Sequence, residues 1–260
     1  MTHFNHIPES EKKKEWFLLL KPLLDARFAR DCPHKSQLIH GMNLTDETYG
    51  WKSIKYYVER CLKHATDGKS IFSRVKEIKA TSNPDYIIND MFAELMAIPY
   101  LLQKGFTDLK YFRRNGVDFH VKYNGQSYYV EVTYVHGPNM KTFHCNPEPN
   151  FEGKNWDYSR KLINLLRNKY REKEAQILKK NLPLSNCIIL IFTHLEETHE
   201  AWFKHAKIDG IHPILNFVIT QKIATIVHGI SVYEPEPTSL GGVFGKLNTF
   251  AWKNYSNQKF

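Results

Sequence analysis

The fold is decided by residues 117–133, which read VDFHVKYNGQSYYVEVT. Apolar and polar residues alternate on both sides of Asn124-Gly125, a dipeptide that favours a two-residue type I′ turn because both positions need positive φ. The pattern predicts a β-hairpin in which Asp118 lies directly opposite Glu131. One face of this hairpin is expected to be apolar core and the other face polar.

The two opposed carboxylates, Asp118 and Glu131, need an explanation because like charges directly across a strand pair are destabilising. A shared divalent cation would remove the repulsion, and magnesium is a hard ion that prefers oxygen ligands. A shared proton, or exposure to water, would also relieve it. The hairpin alone therefore leaves open both a metal site and an ordinary amphipathic hairpin with a solvated polar face.

Length and charge narrow the class of protein. The chain has 260 residues, a net charge of +9 and an isoelectric point near 9.2. This length allows one large domain, or a core with an appendage. The basic balance favours an anionic partner, of which nucleic acid is the commonest. No apolar run reaches membrane-spanning length, so no membrane partner is expected.

The four cysteines are widely spaced and include no CxxC pair. This usage, together with an N-terminus that lacks an apolar secretory signal, predicts reduced thiols and a cytoplasmic location. Cys61 with His64, and Cys32 with His34, have the local spacing of zinc ligands. A structural zinc site would need these two halves to meet in space.

Three regions are predicted along the chain. Residues 1–80 are expected to be a mostly helical N-terminal region, residues 81–238 the core, and residues 239–260 a basic and aromatic tail. The N-terminal segment 16–57 is helical and aromatic, which fits a helical cap on the core, a dimerisation surface or a DNA-reading appendage.

Within the core, helical and strand patterns alternate. Asn83-Pro84 is expected to begin a helix that ends near Gly105. After the hairpin, a basic helix is predicted over 156–180, and buried strands are predicted over 187–192 and 223–233 with a helix between them. This order predicts an α/β fold with a mixed sheet flanked by helices.

A third acid, Glu94, falls on the apolar stripe of the helix that begins at Pro84. A carboxylate in such a position either needs a partner or reaches water from the edge of the stripe. The apolar members of the stripe are Ile87, Met91, Leu95, Ile98 and Leu102.

The three acids resemble the motifs of the PD-(D/E)XK, or restriction-endonuclease-like, nuclease superfamily over roughly residues 84–235. Ala93-Glu94-Leu95 resembles the first motif, Gly116-Val117-Asp118-Phe119 the second, and Val130-Glu131-Val132-Thr133 the third. The resemblance implies a restriction-endonuclease-like core with a central mixed β-sheet flanked by helices. It also implies a magnesium-dependent deoxyribonuclease in which manganese can replace magnesium.

The resemblance implies particular roles for these residues. Asp118 and Glu131 would be direct metal ligands, and the main-chain carbonyl of Val132 a third. Glu94 would hold a metal-bound water or a second ion.

The catalytic lysine of the family is missing, because Thr133 occupies its place. Some members with Thr at this position supply a lysine from the next helix. Here Lys169 and Lys173 are spaced by four and share a helix face, and Lys173-x-x-Gln176 resembles the relocated motif. Lys122, on the polar face of the hairpin, is a third candidate. If none of these lysines completes the site, catalysis has been lost.

The leading hypothesis is therefore a nuclease acting on nucleic acid, most readily DNA, in restriction, anti-phage defence or a mobile element. The alternative is a catalytically inactive nuclease fold that binds nucleic acid or a protein partner. Whether the chain forms a homodimer stays open.

Overall fold

The computed structural model describes residues 4–30, 38–39, 42, 51–113, 117–135, 168–169, 171–183, 186–193, 224–228 and 248–251. The described residues form two compact units, the first ending at Ser127 and the second beginning at Tyr128. The domain boundaries expected at residues 80 and 238 stay predictions.

The first unit is mostly helical up to residue 103, which confirms the prediction for the described part of the N-terminal region. Its helices are α1 (Glu9–Lys12), α2 (Glu15–Phe28), α3 (Trp51–His64), a 3-10 helix (Gly68–Ser73), α4 (Val75–Ala80) and α5 (Pro84–Gln103).

Helix α5 begins and ends where the sequence predicts. Pro84 is its first helical residue, and Gly105 adopts φ +85° just beyond its end, a conformation that favours glycine. Asn83 is the N-cap residue, as predicted, although its side chain makes no capping hydrogen bond. Every residue from Met91 to Leu101 is buried, because α5 contacts α3, α4 and β1. The helix is therefore central rather than amphipathic.

A buried ion pair joins α2 to the first turn of α5. Arg27 donates from Nε and Nη2 to the two carboxylate oxygens of Asp85, at 2.7 and 3.0 Å. This bidentate geometry satisfies both oxygens of a carboxylate that burial would otherwise penalise. The pair therefore fixes the position of α5 against the N-terminal helices.

The first unit also contains β1 (Thr107–Tyr111), which pairs antiparallel with β2 (Phe119–Tyr123). The sequence analysis missed β1, which has only two buried positions among five residues. Thr66 completes its other edge, since its N–H donates to Leu109 O at 2.8 Å.

The turn after β2 has the predicted geometry. Asn124 and Gly125 adopt φ of 48° and 77°, and β3 begins immediately after them at Gln126. Positive φ at both central residues is the signature of a type I′ turn. Phe119 and Val121 are buried, whereas Lys122 is exposed, so β2 alternates as expected.

The second unit contains a mixed four-stranded sheet in the order β3, β4, β5, β6. The parallel strands are β3 (Gln126–Val135), β4 (Cys187–Thr193) and β5 (Ala224–His228), and β6 (Asn248–Ala251) runs antiparallel to β5. Residues 168–169 and 171–179 are helical and are called the basic helix below. The mixed sheet and the helices confirm the α/β class. Strand β6 was not predicted.

Several predicted features lie outside the described residues. These are the part of the predicted helix 156–180 that precedes residue 168, the helix between β4 and β5, the loop that follows β3, and the pair Cys32 and His34. Within the described part of the chain, no helix has the length and apolarity needed to cross a membrane.

Candidate active site

Glu94 is buried at the centre of the first unit, with 4% of its surface exposed. Arg74 Nη2 donates to its Oε1, and the Tyr111 hydroxyl donates to its Oε2 at 2.9 Å. Arg74 Nη2 also lies 3.2 Å from the Tyr111 hydroxyl. Glu94 therefore has the partner that its position in the stripe required, and it does not reach water.

The electrostatic surroundings of Glu94 include a second acid. Burial, against the opposing effect of Arg74 and with a contribution from the charge of Asp118, raises the pKa of Glu94 to about 7. Glu94 and Tyr111 raise the pKa of Arg74 despite its burial, which keeps the guanidinium charged. Helix α5 and the residue before β2 thus bring two predicted site acids into one electrostatic environment.

Asp118 lies immediately before β2 and is 7% exposed. Its main-chain carbonyl accepts a hydrogen bond of 2.8 Å from Phe112 N–H, just beyond the end of β1. The flanking residues Val117 and Phe119 are buried in the core. The β1–β2 pairing therefore holds this carboxylate in place.

In the second unit, Glu131 lies on β3 opposite Ile189 of the parallel strand β4 and is 5% exposed. Lys173 Nζ donates to Glu131 Oε1 at 2.7 Å. Burial, followed by the charge of Glu131, raises the pKa of the Cys187 thiol to about 11. The acid on β3 thus has a lysine from the basic helix as a direct partner.

Helical periodicity explains why Lys173 reaches the strand. Gln176 and Ile177 follow it by three and four residues, and Ile177 is completely buried, so this side of the helix faces inward. The neighbouring Arg171 and Glu172 are exposed. The inward position of Lys173 therefore follows from the burial of Ile177.

The other two candidate lysines have different partners. Lys169 Nζ lies 3.0 Å from Glu172, and Lys122 Nζ lies 2.9 Å from Asp108, both at solvent-exposed positions. Of the three candidates, Lys173 is the one that contacts a predicted site acid. The structure brings Lys173 to Glu131 and pairs Lys169 and Lys122 with surface acids.

Strand β3 is covered on both faces beyond Val130. Glu131, Val132 and Thr133 are all buried, and their parallel partners on β4 are Ile189, Leu190 and Ile191. The expectation of a solvated polar face is therefore wrong for this end of the strand. The lysine contact to Glu131 explains how the carboxylate is accommodated there.

The sequence analysis missed Arg74 and Tyr111, the two partners of Glu94. Arg74 lies between the 3-10 helix and α4, and Tyr111 ends a strand that the pattern did not reveal. The one available signal was the carboxylate itself, since a buried Glu requires a cation or several donors.

The acids present are suited to magnesium by their chemistry. This ion is commonly held by one or two carboxylates, completed by water and substrate phosphates, and Asp118 in the first unit and Glu131 in the second each carry a buried carboxylate. Both oxygens of Glu94 already accept hydrogen bonds, which makes it a weaker candidate for direct ligation. Among the described residues, no group of three or more His, Cys, Asp or Glu side chains is arranged to hold a metal ion.

Comparisons of the chain with protein-family models, with curated proteins and with solved structures found no match. Support for the nuclease resemblance therefore comes from the residues of this chain alone.

Proposed function

We propose that this chain is a metal-dependent nuclease with a restriction-endonuclease-like core, hydrolysing phosphodiester bonds in DNA. The observation that carries the proposal is the hydrogen bond of 2.7 Å between Lys173 and Glu131. The third motif lacks its lysine at Thr133, and a lysine from the following helix contacts the acid of that motif. In the relocated motif Lys173-x-x-Gln176, a lysine of the following helix takes the place of the lysine missing at Thr133.

In the proposed site, Asp118 and Glu131 would hold magnesium, with the Val132 carbonyl as a further ligand. Magnesium would activate the attacking water and neutralise charge on the scissile phosphate. The turn at Asn124-Gly125 has positive φ at both residues, which supports this assignment, because a two-residue turn there predicts a register with Asp118 opposite Glu131.

Lys173 would contribute an N–H donor and a positive charge beside Glu131. Its ammonium orients the attacking water, or stabilises the negative charge that develops on the phosphorane. Lys169 lies four residues before Lys173 on the same helix. We assign it to phosphate contact on the more exposed surface.

Glu94 acts through its surroundings in this proposal. Arg74 and Tyr111 fix its carboxylate within the electrostatic range of Asp118. In this position Glu94 would hold a metal-bound water. The pathway, whether restriction, anti-phage defence or a mobile element, rests on resemblance to the nuclease superfamily.

The test is cleavage of supercoiled plasmid, single-stranded DNA and RNA by the full chain, with magnesium or manganese. Asp118→Ala and Glu131→Ala are expected to abolish the products while leaving the circular dichroism spectrum unchanged. Undiminished cleavage by both variants would exclude the proposed site.

A second candidate function is a nuclease fold that binds nucleic acid without cutting it. Two buried acids, Glu94 and Glu131, already have the cationic partners Arg74 and Lys173, so neither requires a metal ion to balance its charge. This candidate predicts salt-dependent binding of DNA and no product at any magnesium or manganese concentration. Electrophoresis of the binding reactions separates it from the nuclease.

A further inference from the structure

Helix α3 has a sharply divided surface. Ile54, Val58 and Cys61 are buried against the rest of the first unit. On the outer side, four residues fall within an arc of about 80° at 100° per residue. They are Lys52, Tyr56, Arg60 and Lys63, here called the basic stripe.

The cations of the basic stripe are held close together. The Arg60 guanidinium lies over the Tyr56 ring, with 5.1 Å between its Cζ and the ring centroid. Arg60 Nη1 also lies 3.3 Å from His64 Nε2. Burial, together with the charges of Arg60 and Lys63, lowers the pKa of His64, as expected where positive charge accumulates.

Stabilisation of the helix explains only part of this arrangement. Lys63 and His64 lie in the last turn of α3, where cations complement the helix dipole. Lys52 lies in the first turn, where a cation is unfavourable for the same reason. The nearby Lys55 is engaged with acids, at 3.0 Å from Glu11 and 3.8 Å from Glu59. Glu59 is an exposed acid beside the stripe, and the stripe itself carries three cations, spread from the first turn of the helix to the last.

We propose that the basic stripe binds the phosphodiester backbone of nucleic acid. From Lys52 to Lys63 the stripe extends about 16 Å at 1.5 Å per residue, enough to meet several phosphates of one strand. Lysine and arginine contact phosphates irrespective of base, and the ring of Tyr56 supports the guanidinium. The inference deepens the nucleic-acid part of the proposed function and rests on it.

The test compares two variants that lose equal charge. One is the stripe variant Lys52→Gln/Arg60→Gln/Lys63→Gln. The other is the control Lys13→Gln/Lys21→Gln/Lys69→Gln, at exposed positions of the same unit. Binding of a labelled DNA duplex by the full chain is measured by fluorescence anisotropy at several salt concentrations. A chelator is present, so that cleavage does not intervene.

The stripe variant is expected to bind about tenfold more weakly or worse at about 0.1 M salt, with a slope of log K against log salt smaller by about two to three. The control is expected to stay within about threefold of the parent chain. Equal losses in both variants would assign the effect to net charge and overturn the inference. If the stripe variant melts at a lower temperature, Lys63→Glu alone, at an exposed position, is expected to weaken binding several-fold.

The outcomes separate this inference from the nuclease proposal. A stripe variant that binds as the parent does overturns the stripe and leaves cleavage to be judged by its own assay. A parent chain that binds through the stripe but does not cut supports the stripe and overturns the nuclease. A parent chain that does not bind the duplex also overturns the stripe, even if it binds vesicles of phosphatidylserine, and cleavage is again judged by its own assay.

Discussion

Lys173 Nζ lies 2.7 Å from Glu131 Oε1, across a sequence separation of 42 residues. Both side chains are largely shielded from water, so each lacks the hydration that it would have in the unfolded chain. Removing one partner of such a pair leaves the other charge uncompensated. The contact therefore ties the basic helix to β3 and supplies a cation beside a predicted metal ligand.

Replacement of Lys173 tests its proposed catalytic role. Lys173→Met is expected to lower the single-turnover rate of DNA cleavage by about 10²- to 10⁴-fold, because the proton donor or charge beside Glu131 is lost. Lys179→Met, at an exposed position of the same helix, is the matched control and should reduce the rate by less than about threefold. Equal effects of the two replacements would contradict the assignment, and thermal melting shows whether either variant is unfolded.

The ion pair between Arg74 and Glu94 predicts a large effect on stability. Arg74→Met is expected to lower the free energy of unfolding by about 3–5 kcal/mol, since it strands a buried carboxylate. The double variant Arg74→Met/Glu94→Met should recover much of this loss. Arg113→Met breaks a more exposed pair with Glu77 and should cost less than about 1 kcal/mol. Urea unfolding distinguishes these outcomes. Similar losses of unfolding free energy for Arg74→Met and Arg113→Met would show that burial does not determine how much each ion pair contributes.

Glu11 predicts how stability changes in acid. Against the effect of burial, hydrogen bonds from Lys14, Lys55 and Trp16 lower its pKa from 4.5 to about 2. Between these values the folded chain binds fewer protons at this site than the unfolded chain. The stabilising contribution is thus complete above pH 4.5 and is lost as the pH falls toward about 2. The difference in urea midpoint between the parent and Glu11→Gln should narrow as the pH falls from 4.5 toward about 2. A difference that stays constant would contradict this role of Glu11.

The hairpin turn predicts an effect of backbone conformation alone. Gly125 has φ of +77° and no atom near the position of an added Cβ. Gly125→Ala is therefore expected to cost about 1–2 kcal/mol of unfolding free energy through backbone strain. Gly125→Asn should cost less, because asparagine tolerates this region better. If urea unfolding gives equal stability for the parent and Gly125→Ala, the positive φ at this position is wrong.

Much of the fold could be predicted because its signals are local. Asn124-Gly125 identifies the turn, Pro84 and Gly105 mark the ends of α5, and the apolar run from Cys187 identifies β4. Strand β1 could not be predicted in the same way. Its edge is completed by Thr66, a contact across more than 40 residues that leaves no periodic signal.

The site was predictable in its acids but not in their partners. A carboxylate within an apolar helical stripe, such as Glu94, can be recognised from the sequence. The cation that balances it can come from anywhere in the chain. Arg74 approaches Glu94 through the packing of α4 against α5. Lys173 was one of three candidate lysines, two chosen by their helical spacing and one by its place on the hairpin, and the burial of Ile177 selects it. That burial depends on tertiary packing, which spacing alone does not determine.

The central claim is tested most directly by the metal dependence of DNA cleavage by the purified full chain. Supercoiled plasmid is incubated in chelator, and magnesium is then added back in steps, with Asp118→Asn and Glu131→Gln in parallel. We expect no product in chelator, nicked or linear DNA from the parent chain as magnesium rises, and no product from either variant. Cleavage that persists in chelator, or that both variants retain, would contradict the claim, as would a parent chain that never cuts.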